Sequence, residues 1–249
     1  MSTDQDWQIL GRQDPYFGVL TDERFRRDRI TAEDLEAFFR TGRDEVAALI
    51  ADCRKHFGEV STSRTLDFGC GVGRLLIPSA RLSERSVGID ISDAMREEAA
   101  SNCSRSNCRN VRLVRSLDEL DVSETFTFIY SYIVLQHIDT RRGLDIVDAL
   151  LGRLDKGGCA ALHVTYGHGK HEQTLGATPW HGRSILHRIR RPFSKLLRRL
   201  RGRQPKMQMN AYPLNQLFFL VQSRGIRSGG FRLTDHSGHL GLILFLKRE

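Results

Sequence analysis

An acid followed by three glycines is the feature of this chain best suited to bind a small ligand. Residues 66–73 have the sequence LDFGCGVG, a short apolar run that ends in Asp67 and Phe68 and leads into glycines spaced two apart. Such glycines permit a tight turn and let the backbone approach a ligand closely. A second acid, Asp90, ends another apolar run 23 residues after Asp67. Both carboxylates are therefore candidates for ligand contacts.

The spacing of these groups favours one kind of ligand over another. Position 74 is Arg74, where the dinucleotide-binding pattern G-x-G-x-x-G would have a glycine. The carboxylate of Asp67 would repel a pyrophosphate in the turn and attract an ammonium group, such as that of S-adenosylmethionine. The carboxylate of Asp90 has enough lone pairs to accept both hydroxyls of a ribose. The alternative is an ordinary strand–helix connection, with Asp90 acting only as a charge near a helix start.

These residues must be positioned by strands that alternate with helices. Five short apolar runs predict strands at 64–68, 86–90, 111–115, 125–132 and 159–166. The segments between them predict helices at 73–82, 92–104 and 141–154. Alternation of this kind is typical of parallel βαβ units.

Helical patterns flank this core on both sides. Residues 14–60 begin with a turn that carries two aromatic residues and continue as a helical stretch, with an N-cap at Thr31 and a stop at Gly58. Near the C-terminus, 214–223 predicts a helix, and two apolar runs joined by a short turn predict a hairpin with strands at 231–234 and 240–246.

The motifs LDFGCGVGR and GIDIS in combination resemble those of the class I S-adenosylmethionine-dependent methyltransferases. The resemblance covers most of residues 60–165. It implies an α/β, Rossmann-like sheet of seven mostly parallel strands with an antiparallel last strand and helices on both faces. We expect an N-terminal helical arm or lid at 1–60 and a methyltransferase domain at 61–249, with a basic helical insertion or cap at 167–206 after the fifth strand.

The resemblance also implies how S-adenosylmethionine would be held. The acid and the glycines of the turn would surround its methionine and ribose, Asp90 would bind the ribose hydroxyls, and Ile91 and Met95 would flank the adenine. Many family members have an acid after the third strand, where this chain has Ser116 and Leu117. The cofactor-binding residues expected are Asp67, Gly69, Cys70, Gly71, Gly73, Asp90, Ile91, Met95, Ser116, Leu117 and, from a lid over the cofactor, Tyr16. For Tyr16, packing within the arm is the alternative.

His137, after the fourth strand, is the candidate general base for the methyl acceptor. That edge of a doubly wound sheet faces the ligand crevice, and histidine titrates near neutral pH. A structural histidine at a helix start is the alternative. Tyr166 is a second catalytic candidate, and the expected substrate-binding residues are His168, Tyr212 and His239. We assign His163 to the interior and His236 to the hairpin turn. No metal site is expected from ligand spacing, although a magnesium site of oxygen ligands stays open.

The basic charge of the chain is concentrated in one segment. Residues 173–234 contain thirteen Lys and Arg and no acid; removing those charges from the net +8 leaves −5 for the rest. Within this segment, residues 185–203 have an amphipathic pattern. Three interpretations compete: a helical cap beside the acceptor pocket, docking on an anionic membrane surface, or binding of a polyanionic acceptor such as an acidic glycan or RNA. RNA ranks last because few aromatic residues are interleaved.

These features predict an enzyme that methylates an oxygen of a carbohydrate, lipid-linked or other small-molecule acceptor. An RNA methyltransferase and a non-catalytic S-adenosylmethionine-binding regulator are the alternatives. The sequence has no apolar run of eighteen residues, no signal-peptide pattern at its start, and five scattered cysteines typical of reduced thiols. A cytoplasmic location is therefore expected, with the basic segment as the means of peripheral membrane association.

Overall fold

Seven strands form the centre of the fold. The structure, a computed structural model, describes residues 3–169 and 207–249, so most of the predicted basic insertion lies outside the described residues. The strands are β1 Arg64–Phe68, β2 Arg85–Ile89, β3 Val111–Val114, β4 Phe126–Ser131, β5 Leu154–His168, β6 Ser228–His236 and β7 His239–Lys247.

The strands form a single sheet in the order β3-β2-β1-β4-β5-β7-β6. Strands β1 to β5 pair in parallel, whereas β7 is antiparallel to both of its neighbours, β5 and β6. The predicted mostly parallel sheet with a reversed last strand is confirmed. The strand order changes direction between β1 and β4, and in such sheets ligands bind beyond the carboxyl ends of the strands at this point.

Helices cover both faces of the sheet, as predicted. They are α1 Thr3–Gln13, α2 Pro15–Val19, α3 Ala32–Phe57, α4 Leu76–Ala80, α5 Asp93–Arg105, α6 Thr140–Gly152 and α7 Leu214–Ser223. In the part of the chain that the structure describes, none of them is long and apolar enough to cross a membrane.

Alternating side chains of the central strands point to opposite faces of the sheet and contribute to a hydrophobic core on each face. On β4, Phe128 and Tyr130 pack beneath α3 against residues such as Leu49, whereas Ile129 faces α6 and Val147. Removing such side chains from water contributes about 1.5–3 kcal/mol each. The helix α3 is held at its start by the predicted cap: the Asp34 backbone N–H donates to Thr31 Oγ1 at 3.1 Å. The core therefore fixes the sheet edge where the ligand residues lie.

Three segments differ from the sequence expectation. Within the arm expected at 1–60, the sequence analysis placed the helical stretch in 14–60; the structure has an additional helix, α1, before it, and residues 15–19 form the short helix α2 instead of a turn. The predicted helix 73–82 is shorter, because residues 71–75 are a turn with two glycines at positive φ. Glycine weakens a helix by about 1 kcal/mol relative to alanine, which favours the turn here.

Gly42→Ala is expected to destabilise the protein, although alanine is the better helix former. A Cβ at Gly42 would lie 2.0 Å from the backbone oxygen of Arg74, so α3 and the glycine-rich turn must move apart. Overpacking of this kind costs about 1–3 kcal/mol, which lowers the Tm by about 2–10 °C in a thermal melt. Gly167→Ala is the control, because its Cβ would meet no atom within 4 Å. An unchanged Tm for Gly42→Ala would show that this contact is not tight.

Candidate functional site

The turn after β1 requires its glycines. Gly69, Gly71 and Gly73 have φ values of 81°, 52° and 90°, which side chains other than glycine rarely adopt. A Cβ at Gly69 would also lie 2.4 Å from both γ carbons of Val134. The turn folds back on the neighbouring strand, because the backbone N–H groups of Gly69 and Cys70 both donate to the Ile89 carbonyl, at 2.7 and 2.9 Å. The backbone therefore passes close to the carboxyl end of β2.

The carboxylate of Asp90 joins the glycine turn to the start of α5. Its Oδ2 accepts from the Gly71 N–H and its Oδ1 accepts from the Ser92 N–H, both at 2.9 Å. A carboxylate has about four acceptor positions, so two remain for a ligand. The two roles considered for Asp90, a ligand contact and a group near a helix start, are thus compatible.

Asp67 is a buried acid that lacks a complete set of partners. Its side chain is 3% exposed, and its Oδ2 has no hydrogen-bond partner among the described residues. Burial is the main cause that raises the pKa of Asp67 to about 8; the negative charge of Asp90 acts in the same direction, while Arg74 and a hydrogen bond from Tyr130 oppose the shift. A buried acceptor without a partner costs about 1–3 kcal/mol. The site therefore favours a ligand that brings a positively charged donor.

These groups lie in a cavity of about 890 Å³ at the carboxyl ends of β1, β2 and β4. Most of the predicted site residues line it together. They are Asp67, Gly69, Cys70, Gly71, Asp90, Ile91, Met95, Ser116, Leu117, His137 and His239. Cavities of this size hold cofactors and small-molecule substrates.

Two predicted tyrosines are instead part of the protein interior. Tyr16 packs edge-to-face on Phe38, with ring centroids 5.2 Å apart, and its hydroxyl donates to Glu98 at 2.6 Å. The Tyr212 hydroxyl donates to the Leu135 carbonyl at 2.8 Å, and the side chain is 2% exposed. Both hydroxyls have partners within the fold, so neither tyrosine lines the cavity.

Three further predicted residues also lie outside the cavity lining. Gly73 shapes the turn but faces Ile77. The side chain of Tyr166 is directed outward and is 36% exposed. His168 packs edge-to-face on His239, with ring centroids 4.6 Å apart, and the cavity is lined by His239 alone of this pair.

The N-terminal helix α1, within the arm or lid expected at 1–60, lies over the cavity, but the sequence analysis named none of the α1 residues that line it. Trp7 lines the cavity with its ring 5.1 Å from that of His137. Gln8 donates to the Ile91 carbonyl at 2.9 Å, and Asp4 pairs with Arg142 at 2.6 Å. The spacing of Trp7 and Leu10 was the available signal, but it spans only one turn.

His137 is held in one tautomer, and its second ring nitrogen has no hydrogen-bond partner among the described residues. Its Nδ1 lies 2.7 Å from the Gln208 carbonyl oxygen, which can only accept, so Nδ1 carries the proton and Nε2 carries a lone pair. Burial lowers the pKa of His137, the bond to Gln208 opposes this, and His239 lowers it further. A neutral imidazole with a free Nε2 is the form that a general base requires.

The β6–β7 hairpin forms the far wall of the cavity. His236, Ser237 and His239 all line it. The turn places Ser237 at φ 56° and Gly238 at φ 84°, the conformation of a two-residue hairpin turn. The sequence analysis predicted the hairpin and His239, but it assigned His236 to a turn role only.

Metal ligands do not converge at this site in the described part of the chain. No group of three or more His, Cys, Asp or Glu side chains there has the geometry to hold a metal ion.

Comparisons with known proteins agree on the domain type. Residues 65–158 match the model of a methyltransferase domain family. The chain is 32% identical over 103 residues to the ubiquinone biosynthesis O-methyltransferase of Rhodopseudomonas palustris (strain BisB5), covering 41% of this chain and 36% of that protein. It is 31% identical over 117 residues to the enzyme of the same name from Mesorhizobium japonicum, covering 47% and 46%. The chain thus spans less than half the length of these relatives.

A solved structure has the same fold over nearly its full length. Magnesium protoporphyrin IX methyltransferase from Synechocystis PCC 6803, determined with S-adenosylmethionine bound, superposes with a TM-score of 0.60 at 17% identity, covering 100% of this chain and 98% of that one. At this identity the likeness establishes the fold alone.

Proposed function

We propose that the chain is a class I methyltransferase that binds S-adenosylmethionine and methylates an oxygen of a small-molecule acceptor, because residues 65–158 match a methyltransferase domain and the sheet has the fold of a solved methyltransferase. One observation carries this proposal: Asp67, whose Oδ2 has no hydrogen-bond partner among the described residues, lies beside a glycine turn, with Asp90 at the end of the next strand. That pair of acids matches a ligand with an ammonium group at one end and ribose hydroxyls next to it.

The residues present fit this cofactor. Asp67 would hold the ammonium group, Asp90 the ribose hydroxyls, and Ile91, Met95 and Leu117 the adenine. When bound, S-adenosylmethionine supplies a methyl group on a positively charged sulfur, which is activated without help from the protein.

The protein therefore has to orient the acceptor and remove its proton. In this proposal His137 takes the proton of the acceptor hydroxyl at Nε2, while the Gln208 carbonyl holds the opposite side of the ring. Trp7 and the rest of α1 keep bulk water away from the transfer. Correct placement of the reacting groups contributes much of the rate in such a reaction.

The choice of a small acceptor rests on the cavity and on the relatives. Residues of α1 and of the hairpin line the cavity, and the named relatives are O-methyltransferases of ubiquinone biosynthesis. The predicted preference for a carbohydrate or lipid-linked acceptor, and docking on an anionic membrane, depended on residues 185–203. Those residues lie outside the described part of the chain, so both ideas stay predictions.

The first experiment incubates purified protein with methyl-labelled S-adenosylmethionine and a fractionated cell extract. We expect label in a small-molecule or lipid fraction and none in RNA or protein. Asp67→Asn, which is expected to weaken cofactor binding, is the control and should take up less label at limiting S-adenosylmethionine. Label in RNA would favour the RNA alternative, and cofactor binding without any transfer would favour a regulator.

Gly69→Ala is expected to weaken binding of S-adenosylmethionine by roughly tenfold or more. The added Cβ clashes with Val134, and alanine is strained at this positive φ. Together these effects raise the free energy of the turn conformation that binds the cofactor by about 1–3 kcal/mol. Calorimetric titration measures the affinity. Gly157→Ala is a matched control, because it has φ 75° but no atom near its Cβ and lies before the core of β5. Equal affinities of the two variants for S-adenosylmethionine would contradict the claim that the turn at Gly69 has no room for a side chain.

A further inference from the structure

Two buried histidine nitrogens remain unexplained by the cofactor. Six buried side-chain atoms lack a hydrogen-bond partner among the described residues. Those of Asp52 and Glu124 each lie 3.0 Å from an arginine. Asp67 and Arg74 flank the glycine turn. The remaining two are His163 Nδ1 on β5 and His236 Nε2 at the end of β6.

These two histidines form one cluster beneath the hairpin. Their rings pack edge-to-face with centroids 5.1 Å apart, and Tyr132 lies 5.5 Å from the first and 6.2 Å from the second. Tyr132 and His236 line the cavity, whereas His163 is fully buried. His236 therefore lines the cavity, while its Nε2 is buried and its ring packs on that of His163.

The fold makes room for this arrangement. His163 Nε2 lies 2.9 Å from Thr234 Oγ1, across the intervening strand β7. At that crossing β7 has Gly241, where a Cβ would lie 2.8 Å from Thr234 Oγ1 and 3.0 Å from His163 Nε2. A side chain at this position would separate the two groups. The glycine thus fixes the orientation of the His163 ring.

Both rings are neutral near pH 7. Burial lowers the pKa of His163 to about 3, with His236, His137 and Arg232 lowering it further. Burial also lowers the pKa of His236, although Glu45 and Asp235 oppose the shift. The nearby Arg232 is itself paired with Glu45 and Asp52, at 2.9 and 3.0 Å. A neutral imidazole nitrogen can donate or accept one hydrogen bond, which suits a hydroxyl better than a carboxylate.

We propose that His236 binds a second oxygen of the acceptor, so that the substrate is a ring compound with at least two oxygen functions. His163 is the positioning residue that orients His236. Trp7, Tyr132, Met207 and Met209 line the same cavity and suit a flat ring between them. The inference rests on the proposed function, because it assumes that the other oxygen is the one methylated.

The test compares binding of simple rings to protein saturated with S-adenosylhomocysteine. Phenol has one hydroxyl, whereas catechol, resorcinol and hydroquinone place a second one at three different distances. We expect at least one of the three to bind about tenfold more tightly than phenol, the value of one hydrogen bond in a buried site. In protein with ¹³C-labelled histidine rings, that compound should shift the NMR signals of His236.

Matched variants separate this inference from the proposed function. His236→Phe is expected to abolish the preference for the second hydroxyl and to leave the affinity for S-adenosylhomocysteine unchanged. Thr234→Val should move the His236 signals in the free protein and reduce the preference. His56→Gln, on an exposed residue near the other end of the sheet, is the control. Equal binding of all four rings, binding of none, or a preference that survives in His236→Phe overturns the inference, whereas failure to bind S-adenosylhomocysteine overturns the proposed function.

Discussion

Replacing Asp67 with asparagine is expected to weaken binding of S-adenosylmethionine by about 10- to 100-fold. A hydrogen bond to a charged group contributes about 1.5–3 kcal/mol, and the neutral amide loses that contribution while it keeps the shape of the side chain. Without ligand, the Tm of the variant should equal or exceed that of the native protein, because the buried carboxyl with its unpartnered oxygen is removed. Isothermal titration calorimetry and a thermal melt measure the two effects.

The control for this variant is Asp155→Asn. Asp155 pairs with Arg64 at the beginning of β5 and does not line the cavity. It should lose little or no cofactor affinity. If Asp67→Asn binds as tightly as the native protein, or if both variants lose affinity equally, Asp67 does not hold the ammonium group.

The pH dependence of binding provides an independent check on Asp67. Its pKa is about 8 in the free protein, so the carboxyl is largely protonated at pH 6. A bound ammonium group favours the carboxylate, and binding therefore releases a proton. Affinity should rise with pH, by up to about tenfold per pH unit below the pKa, and level off above it. Asp67→Asn should remove this slope, and a native protein whose affinity is constant from pH 6 to 8 would contradict the assignment.

The cofactor end of the site could be predicted from the sequence because its determinants are local. A short apolar run, an acid and three glycines within residues 66–73 define both the strand and the turn. The second acid, Asp90, is positioned by an equally local strand end. Each of these groups lies where a strand ends and the next element begins, so the sequence motif that defines the strand end also locates the group in the fold.

The acceptor end depends on contacts between distant parts of the chain. Trp7 reaches His137 across about half the sequence, and His236 is brought to the cavity only when β7 pairs between β5 and β6. The tyrosines 16 and 212 were misplaced for a related reason. A tyrosine has an apolar ring and one polar atom, so a buried site with a single acceptor suits it as well as a ligand cavity does.

Replacing His137 with glutamine is expected to lower turnover by about 100- to 10,000-fold, the usual contribution of a positioned general base. Glutamine can still donate to the Gln208 carbonyl, but it has no basic nitrogen in the position of Nε2. Because other residues make the cofactor contacts, the affinity of the variant for S-adenosylmethionine should stay within about twofold of the native value. His56→Gln is the control, since it makes the same substitution on an exposed ring.

The pH profile separates a base from a histidine that only fills space. At saturating S-adenosylmethionine, which removes the contribution of Asp67, the native rate should rise with pH through the pKa of His137 and then stay constant. Burial sets that pKa below 6.5, so the rise lies on the acid side of neutrality. In His137→Gln the rise should disappear together with most of the rate. If the variant loses rate but keeps the same acid limb, the titrating group lies elsewhere, and His137 acts by packing against Trp7.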